Sequence, residues 1–377
     1  MHNDGIADRP QVWAIGGGKG GTGKSLVAAS FGIHLAQMGR RVVLIDGDLG
    51  APNLHTFLGL DPPRVGLGDF LERRVASLDE AAVETGVPRL RLISGARNGL
   101  EAESLKYFQK TRLMKVILEL QADVVIVDLG AGTSLNVLDL FSIADRGVMV
   151  VLPEPTSIEN GYRFMLAAFR RRLRRLGRAL GFHASVDMVL DPRCRPRHDR
   201  PHEILEELAR IDIVAADALR SHLEMYLPHL IINQARGHDD AQLGEAIRVI
   251  CDRFLGLPIH SAGVIPYDPV LVRTVKSRRP FLVTYPRSGT AESFRAAVEE
   301  IAVMGRGPEA RDRWWGWDSA SRGSRDAHRI LEVGRDASHR EILSSYLRLR
   351  STLRSESAAL FPLDCEPERL SALSEVE

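Results

Sequence analysis

Cysteine is scarce in this sequence, with three among 377 residues. Cys194, Cys251 and Cys365 lie far apart and form no CxxC pair. This spacing argues against a structural zinc site, an iron–sulfur site and the disulfide framework of a secreted protein. We therefore expect the chain to work in a reducing compartment, the cytoplasm.

Long apolar runs are also missing. No stretch approaches the roughly 18 apolar residues that a membrane-spanning helix needs, and the best one, Val124 to Val127, ends at Asp128. The stretch from Met1 to Gln11 is polar and lacks the apolar centre of a signal peptide. We expect neither a span nor secretion, which leaves a peripheral position at the inner face of the membrane open.

An excess of one charge is absent as well. Fifty basic and forty-nine acidic residues give a formal net charge of +1, so the protein as a whole is not a polycation that coats nucleic acid. With 44% hydrophobic and 26% charged residues, the composition is that of an ordinary folded protein. Any basic binding surface must therefore be local.

Short apolar runs alternate with segments of helical length. The runs predicted to be strands are 12–15, 41–45, 90–93, 124–127, 148–152, 230–232 and 262–265. Continuous apolar runs of this length are typical of strands that helices cover on both faces. The sequence therefore predicts an α/β fold with a doubly wound, mostly parallel sheet.

Two helices can be bounded from the pattern. Apolar residues recur at helical spacing from Ser25 to Gln37, and Gly39 follows where a C-terminal cap would lie. A second amphipathic helix is predicted from about Ile158 to Leu180, followed by a helix-rich excursion between Pro201 and Leu227.

Composition changes near residue 306. We predict a domain over 10–305, a linker over 306–325 that is rich in Gly, Arg, Asp and Ser, and a small helical module with an acidic tail over 326–377. Three tryptophans, Trp314, Trp315 and Trp317, lie in the linker.

One segment carries a phosphate-binding pattern. It satisfies G-x-x-x-x-G-K-[ST] between a predicted strand and a predicted helix, and it comprises Gly18, Lys19, Gly20, Gly21, Thr22, Gly23, Lys24 and Ser25, with Leu26 after it. Glycines let backbone N–H groups surround a phosphate, a lysine supplies charge to the β and γ oxygens, and a hydroxyl can ligate magnesium. The sequence predicts a nucleotide site that uses Mg²⁺.

Acidic residues follow two of the predicted strands. Asp128 ends the strand Val124 to Val127, the position from which an aspartate holds magnesium in P-loop enzymes. Asp46 and Asp48 follow another strand at a spacing of two and share one face. We expect Asp46 to lie near the magnesium and Asp48 to orient the attacking water; the alternative is an ordinary capped turn.

These residues resemble a known family. The segment Lys19 to Ser25 is similar to the deviant Walker A motif of the MinD and ParA ATPases, 46–54 resembles their switch I and 128–132 their switch II. The segment 153–158 is similar to one in MinD and FlhG proteins. The resemblance implies an ATP-dependent homodimer in which Lys19 reaches the phosphates of the partner subunit and Asp48 supports hydrolysis.

The resemblance also includes residues that would contact the base of the nucleotide. Asn233 falls where the family has an asparagine that contacts adenine, and 263–268, with Pro266 and Asp268, resembles the later base-binding loop. No NKxD-type guanine reader is present on the corresponding loop, which favours ATP over GTP. The implied cofactors are ATP and Mg²⁺.

Three functions follow as alternatives. The first is a MinD/FlhG-like switch for spatial organisation, with a protein activator or cargo as its partner. The second is a ParA-type partition ATPase, in which the arginine-rich helix Arg163 to Arg178 contacts DNA phosphates non-specifically. The same helix is also the candidate for contact with an anionic membrane, although such helices are more often a solvated face. The third is a metabolic enzyme on the same fold, either an electron-donating reductase or an ATP-dependent ligase or amidotransferase; the cysteine placement argues against the reductase.

The C-terminal module resembles the first two helices of a J-domain over 329–346, but no HPD tripeptide follows. We therefore expect a small docking module and no stimulation of an Hsp70 chaperone. The end of the chain, 374–377, does not resemble the amphipathic membrane helix expected of MinD, and the N-terminal activating segment of FlhG is not matched.

Overall fold

The computed structural model describes residues 9–95, 106–191, 200–224, 228–237, 240, 243–244, 247–248, 251 and 259–303. The predicted linker and C-terminal module, 306–325 and 326–377, lie outside the described residues, as do Cys194 and Cys365. All structural statements below concern the described part of the chain.

A single sheet runs through the described domain. Its strands are β1 Gln11–Gly16, β2 Val42–Asp46, β3 Ala82–Glu84, β4 Leu90–Ile93, β5 Val124–Asp128, β6 Arg146–Val151, β7 His229–Ala235 and β8 His260–Pro266. Their order across the sheet is β3-β4-β2-β5-β1-β6-β7-β8. All neighbours are parallel except β3 and β4, so the α/β fold and its mostly parallel sheet are confirmed.

Helices connect the strands. They are α1 Lys24–Gln37, α2 Leu54–Phe57, α3 Leu67–Leu71, α4 Tyr107–Ile117, α5 Leu135–Ser142, α6 Pro155–Ala179, α7 His183–Leu190, α8 Pro201–Ile211, α9 Ile213–Glu224, α10 Pro269–Lys276, α11 Phe281–Thr284 and α12 Gly289–Val303. The helix-rich excursion predicted from Pro201 is confirmed by α8 and α9.

The two faces of the sheet carry separate cores. In β1, Val12 and Ala14 belong to the core under α4 to α9, while Trp13 and Ile15 belong to the core under α1, α11 and α12. This alternation follows from the period of two along a strand. Both faces are therefore covered, as the continuous apolar runs predicted.

Strand β3 was not predicted from the sequence pattern. This strand is three residues long, is only partly buried and pairs antiparallel at the edge of the sheet. A short strand with one half-exposed face leaves no continuous apolar run, so periodicity could not reveal it.

The longest described helix, α6, begins three residues before the predicted start, at Pro155 in its first turn. Proline suits that position, because its N–H has no partner there and its φ is already helical. No helix in the described ranges combines the length and apolar character that crossing a bilayer requires.

Candidate nucleotide site

The phosphate loop connects β1 to α1 as predicted. Gly21 has φ of 77° and Gly23 has φ of 90°, a left-handed conformation that glycine adopts without strain. Helix α1 then begins at Lys24, with Ser25 and Leu26 in its first turn. The free N–H groups of that turn and the positive end of the helix therefore face the loop, which favours an anion there.

Two glycines of the phosphate loop differ in how much space their surroundings would leave for a side chain. A Cβ atom on Gly18 would lie 2.0 Å from the backbone oxygen of Asn160 in α6. A Cβ on Gly20 would meet nothing nearer than the Cβ of Ala131, at 3.9 Å. The loop is therefore held against α6 at residue 18 and is open at residue 20.

Lys24 is turned into the site. Its side chain is buried and its Nζ donates to the backbone oxygen of Lys19 at 3.3 Å. Burial lowers the pKa of Lys24, while the nearby carboxylates of Asp128 and Asp48 act in the opposite direction. This is the position expected for a lysine that neutralises a bound phosphate.

Lys19 points away from this centre. Its side chain is 41% exposed, and its Nζ lies 3.1 Å from Oε2 of Glu154, which is itself 52% exposed. The two lysines of one loop thus have different surroundings: one is buried beside the acids, and the other is at the surface.

Asp46 and Asp128 lie side by side on neighbouring strands. They are Cα partners in the register of β2 and β5, and both are buried. Burial raises the pKa of Asp46 to about 6, against hydrogen bonds from backbone N–H groups. Burial, and next the charge of Asp46, raises the pKa of Asp128 to about 8, against a Ser25 hydrogen bond and the charge of Lys24.

These residues suit a magnesium ion. Asp128 Oδ1 is buried and has no hydrogen-bond partner in the described part of the chain. A cation at this place would satisfy that oxygen and offset the burial of two neighbouring carboxylates. The described residues contain no group of three or more His, Cys, Asp or Glu that could hold a metal alone. Magnesium typically takes one or two carboxylates together with phosphate oxygens, which fits this donor set.

Asp46 and Asp48 also fix the segment after β2. Asp46 accepts the N–H groups of Asp48 at 3.1 Å and Leu54 at 2.9 Å. Asp48 Oδ1 accepts those of Gly50 at 3.1 Å and Ala51 at 3.0 Å. The capped turn therefore exists, and it holds both carboxylates at the ligand edge of the sheet. Their catalytic and metal roles stay predictions.

The residues predicted to contact the adenine base lie at the carboxyl ends of β7 and β8. A cavity of about 760 Å³ opens there, lined by Pro266, Tyr267 and Arg236 among others. The Arg236 guanidinium stacks over the Tyr267 ring at 4.8 Å. Pro266 therefore lies where a base could bind, and Arg236 is a candidate that the sequence analysis missed.

Asp268 and Asn233 make internal bonds. Asp268 caps α10 by accepting the Val270 N–H at 2.8 Å, and its other oxygen accepts the Thr290 hydroxyl at 2.9 Å. Asn233 is buried and donates to the backbone oxygen of Thr22 at 2.8 Å. Direct contact of either residue with the base stays a prediction.

The arginine-rich helix α6 uses much of its charge inside the domain. Arg171 contacts Asp139, while Arg172 and Arg175 donate to the backbone oxygen of Ser142 at 3.1 and 2.8 Å. Both bonds reach the carbonyl of the last residue of α5, which has no partner within that helix. Exposed arginines remain on the same helix, including Arg163 and Arg178.

Two contacts of the phosphate loop were not predicted from the sequence. Asn160 approaches Gly18, and Glu154 pairs with Lys19, although both partners are more than 130 residues away along the chain. No local pattern marks such pairs. The only available signal was the resemblance of 153–158, which carried no residue role.

Comparisons with known proteins agree with this geometry. A family model described as the CobQ/CobB/MinD/ParA nucleotide binding domain matches residues 13–281. The antiactivator FleN of Pseudomonas aeruginosa is 27% identical over 293 residues, which cover 77% of this chain and 86% of FleN. An uncharacterised ATP-binding protein of Methanocaldococcus jannaschii is 26% identical over 293 residues, covering 77% of this chain and 85% of that protein.

The fold is also found among solved structures. The septum site-determining protein MinD of Pyrococcus horikoshii, solved in complex with Mg-ADP, has a TM-score of 0.54 and 21% identity. The match covers 78% of this chain and 97% of that one. It shows that the sheet and its helices have the arrangement seen in that protein.

Proposed function

This chain belongs to the CobQ/CobB/MinD/ParA nucleotide-binding family, and from that premise we propose that it is an ATPase whose ATP-bound form is a dimer. ATP closes two copies against each other, and slow hydrolysis separates them. The protein is then a switch whose state depends on the bound nucleotide.

The observation that carries this proposal is the divergence of the two lysines. Lys24 is buried beside Asp128, whereas Lys19 is 41% exposed at the rim of the same loop. One buried lysine suffices to neutralise the phosphate within one copy. The exposed lysine is available to a phosphate that a second copy brings to this surface.

Lys24, Ser25 and Asp128 would hold Mg-ATP, with Asp46 supporting the ion from the neighbouring strand. When bound, Mg²⁺ supplies positive charge to the β and γ phosphate oxygens. Asp48, whose Oδ1 accepts the N–H groups of Gly50 and Ala51, would orient the attacking water.

We further propose that the partner is a protein and that the switch serves spatial organisation. The relative FleN is named an antiactivator, which favours a protein partner over a small carboxylic substrate. A metabolic ligase on the same fold would release phosphate only when that substrate is supplied, whereas the switch would respond to a protein.

Light scattering with Mg-ATP tests the dimer. Wild-type protein should be dimeric with ATP and monomeric with ADP, Asp48→Ala should accumulate as dimer, and Lys19→Ala should stay monomeric. Lys115→Ala is the matched control, because Lys115 is 75% exposed on α4, outside the loop, and should behave as wild type. If Lys19→Ala and Asp48→Ala show the same assembly state in ATP, the mechanism is wrong.

A further inference from the structure

A positively charged surface lies on α10, on α11 and on the turns that follow them. We call the stretch 269–288 the basic surface. It holds five basic residues and no acidic one, and the five are Arg273, Lys276, Arg278, Arg279 and Arg287. All five are exposed.

Little of this charge is neutralised within the domain. Arg278 lies 3.4 Å from Asp61, which is itself 98% exposed, and among the described residues this is the one ion pair that the basic surface makes. The arginines of α6 differ, because Arg163 and Arg174 each pair with an acid and Arg171 contacts Asp139. The basic surface therefore carries positive charge that the described domain leaves unpaired.

Apolar side chains are interspersed with this charge. Leu271 and Thr274 are the buried residues of α10, so the side of the helix that carries Arg273 and Lys276 faces outward. Three apolar residues of the basic surface are 45%, 49% and 44% exposed, and they are Val272, Val283 and Tyr285. Exposed apolar side chains among charges favour a polypeptide partner over a small ion.

One segment of this chain has the complementary composition. The acidic segment, defined as 355–377, contains six acidic residues and one basic residue, Arg369. Apolar residues recur between the acids, and they are Leu360, Phe361, Leu363, Leu370, Leu373 and Val376. The segment lies outside the described residues. It offers negative charge and apolar groups to a surface that presents positive charge and apolar groups.

The chain between the two is long enough for them to meet. Helix α12, Gly289–Val303, begins where the basic surface ends, and its 15 residues place Val303 about 22 Å away. Residues 304–354 then separate Val303 from the acidic segment. An extended chain covers about 3.3 Å per residue, so a small part of that stretch could span the distance.

We infer that the acidic segment 355–377 docks on the basic surface of its own chain. Its carboxylates neutralise the unpaired basic residues, and its apolar residues cover Val272, Val283 and Tyr285. Because both parts belong to one chain, their local concentration is high and a modest affinity suffices. The docked segment competes with any other polyanion for this surface. Docking requires no nucleotide.

Zero-length cross-linking of the full chain tests this contact. A carbodiimide joins a carboxylate directly to an amine, and Lys276 is the one lysine of the basic surface. After reaction in low salt, the covalent monomer is recovered from a denaturing gel and digested with trypsin. Peptide 274–278 should be joined through Lys276 to 355–369 or 370–377. In about 1 M salt, where the Debye length is about 3 Å, the yield should fall at least about fivefold.

Lys115 is the matched control within the same sample. It is 75% exposed on α4, which packs on the other face of the sheet, and it should not be joined to the acidic segment.

Charge reversal separates docking from chance proximity. Arg273→Glu with Arg279→Glu keeps Lys276 and should lower the yield of its cross-link at least about fivefold, because like charges then face each other. Arg163→Glu with Arg178→Glu changes the net charge equally on α6 and should keep the yield within about twofold of wild type. All four side chains are on exposed residues, so melting curves of both variants should match wild type.

Three results would overturn the inference. The first is no link between Lys276 and 355–377 in the wild type at low salt, which would leave the basic surface to a polyanion such as nucleic acid. The second is a link found in covalent dimers alone, which would make a second copy the source of the segment. The third is a yield that charge reversal on the basic surface does not change.

Discussion

Lys19 Nζ lies 3.1 Å from Glu154 Oε2, so the exposed lysine of the phosphate loop is paired with the residue that precedes α6. Exposed pairs of this kind contribute about 0–1 kcal/mol, because water screens them and the side chains lose freedom. The pair must break if Lys19 is to reach a second copy. Its small contribution means that a bound nucleotide can break it.

Glu154→Gln should therefore leave stability unchanged and ease dimerisation slightly. We expect the melting temperature to stay within about 2 °C of wild type and the ATP-dependent monomer–dimer equilibrium to shift by up to about threefold toward dimer. Analytical ultracentrifugation with Mg-ATP measures the shift. Glu159→Gln is the control, because Glu159 pairs at 2.7 Å with Arg163 on its own helix. A weaker dimer in Glu154→Gln would mean that Glu154 takes part in the assembly.

The buried pair Asp46 and Asp128 predicts how the nucleotide-free protein responds to pH. Because the pKa of Asp128 is raised from 3.8 to about 8, the folded state binds this proton more tightly than the unfolded chain. The stabilisation is present below pH 3.8 and is lost as pH rises through about 8. Without nucleotide, the wild type should therefore be less stable at pH 8 than at pH 5 on account of this group.

Asp128→Asn removes that penalty. Because Asn does not titrate, we expect the variant to gain stability relative to wild type between pH 5 and pH 8, by up to about 4 kcal/mol, since each pH unit between the unfolded and the folded pKa costs the wild type about 1.4 kcal/mol. Melting curves without nucleotide measure this difference. Asp61→Asn, at a side chain that is 98% exposed, should show no such change. A variant that is less stable than wild type at pH 8 would contradict the buried-acid interpretation.

Local pattern predicted the parts of the site that lie on consecutive residues. The glycine loop, its lysines, and the acids that end β2 and β5 were all identified, because strand period and motif spacing fix where such residues stand. The parallel sheet then places Asp46 beside Asp128 in register. That contact between neighbouring strands was not predicted; it follows from the register of β2 and β5.

Contacts between distant segments could not be predicted in this way. Asn233 was assigned to adenine by resemblance, whereas its bond to Thr22, 211 residues away along the chain, was not predicted. Asp268 likewise accepts the hydroxyl of Thr290, which is 22 residues further along the chain. Both depend on how side chains pack after the sheet has formed, which sequence spacing does not encode.

The close approach of α6 to the phosphate loop predicts unequal effects of two glycine substitutions. Gly18→Ala would place a Cβ 2.0 Å from the Asn160 backbone oxygen, and because backbone cannot move aside cheaply, the loop must shift. We expect ATP binding to weaken by about 100-fold or more, since a loop misplaced by about 1 Å loses several phosphate contacts. Gly20→Ala meets only Ala131 at 3.9 Å.

Gly20→Ala is therefore the matched control. At concentrations where the protein is monomeric, its affinity for ATP should stay within about threefold of wild type, which is less than 1 kcal/mol. Fluorescent nucleotide titration measures both variants. Equal loss of affinity in the two would show that any side chain in the loop disrupts binding, and that the contact with α6 is not the cause.

The last prediction concerns Asp139, which binds together α4, α5 and α6. Its carboxylate contacts both Lys110 and Arg171, and the side chains of Lys110 and Asp139 are 9% and 7% exposed. Removing the shared acid would leave two cations near the core without their partner. Breaking a buried ion pair in this way costs about 3–5 kcal/mol, far more than the pair itself contributes.

Asp139→Ala should therefore lower the free energy of unfolding by about 3–5 kcal/mol in urea titration. The control is Asp79→Ala, which removes an exposed acid 3.1 Å from Arg91 and should cost less than about 1 kcal/mol. Adding Lys110→Met to Asp139→Ala should recover part of the loss, because the unpaired buried cation is then absent. If the double variant is no more stable than Asp139→Ala, the lost stability comes from packing around residue 139 and not from the unpaired positive charge of Lys110.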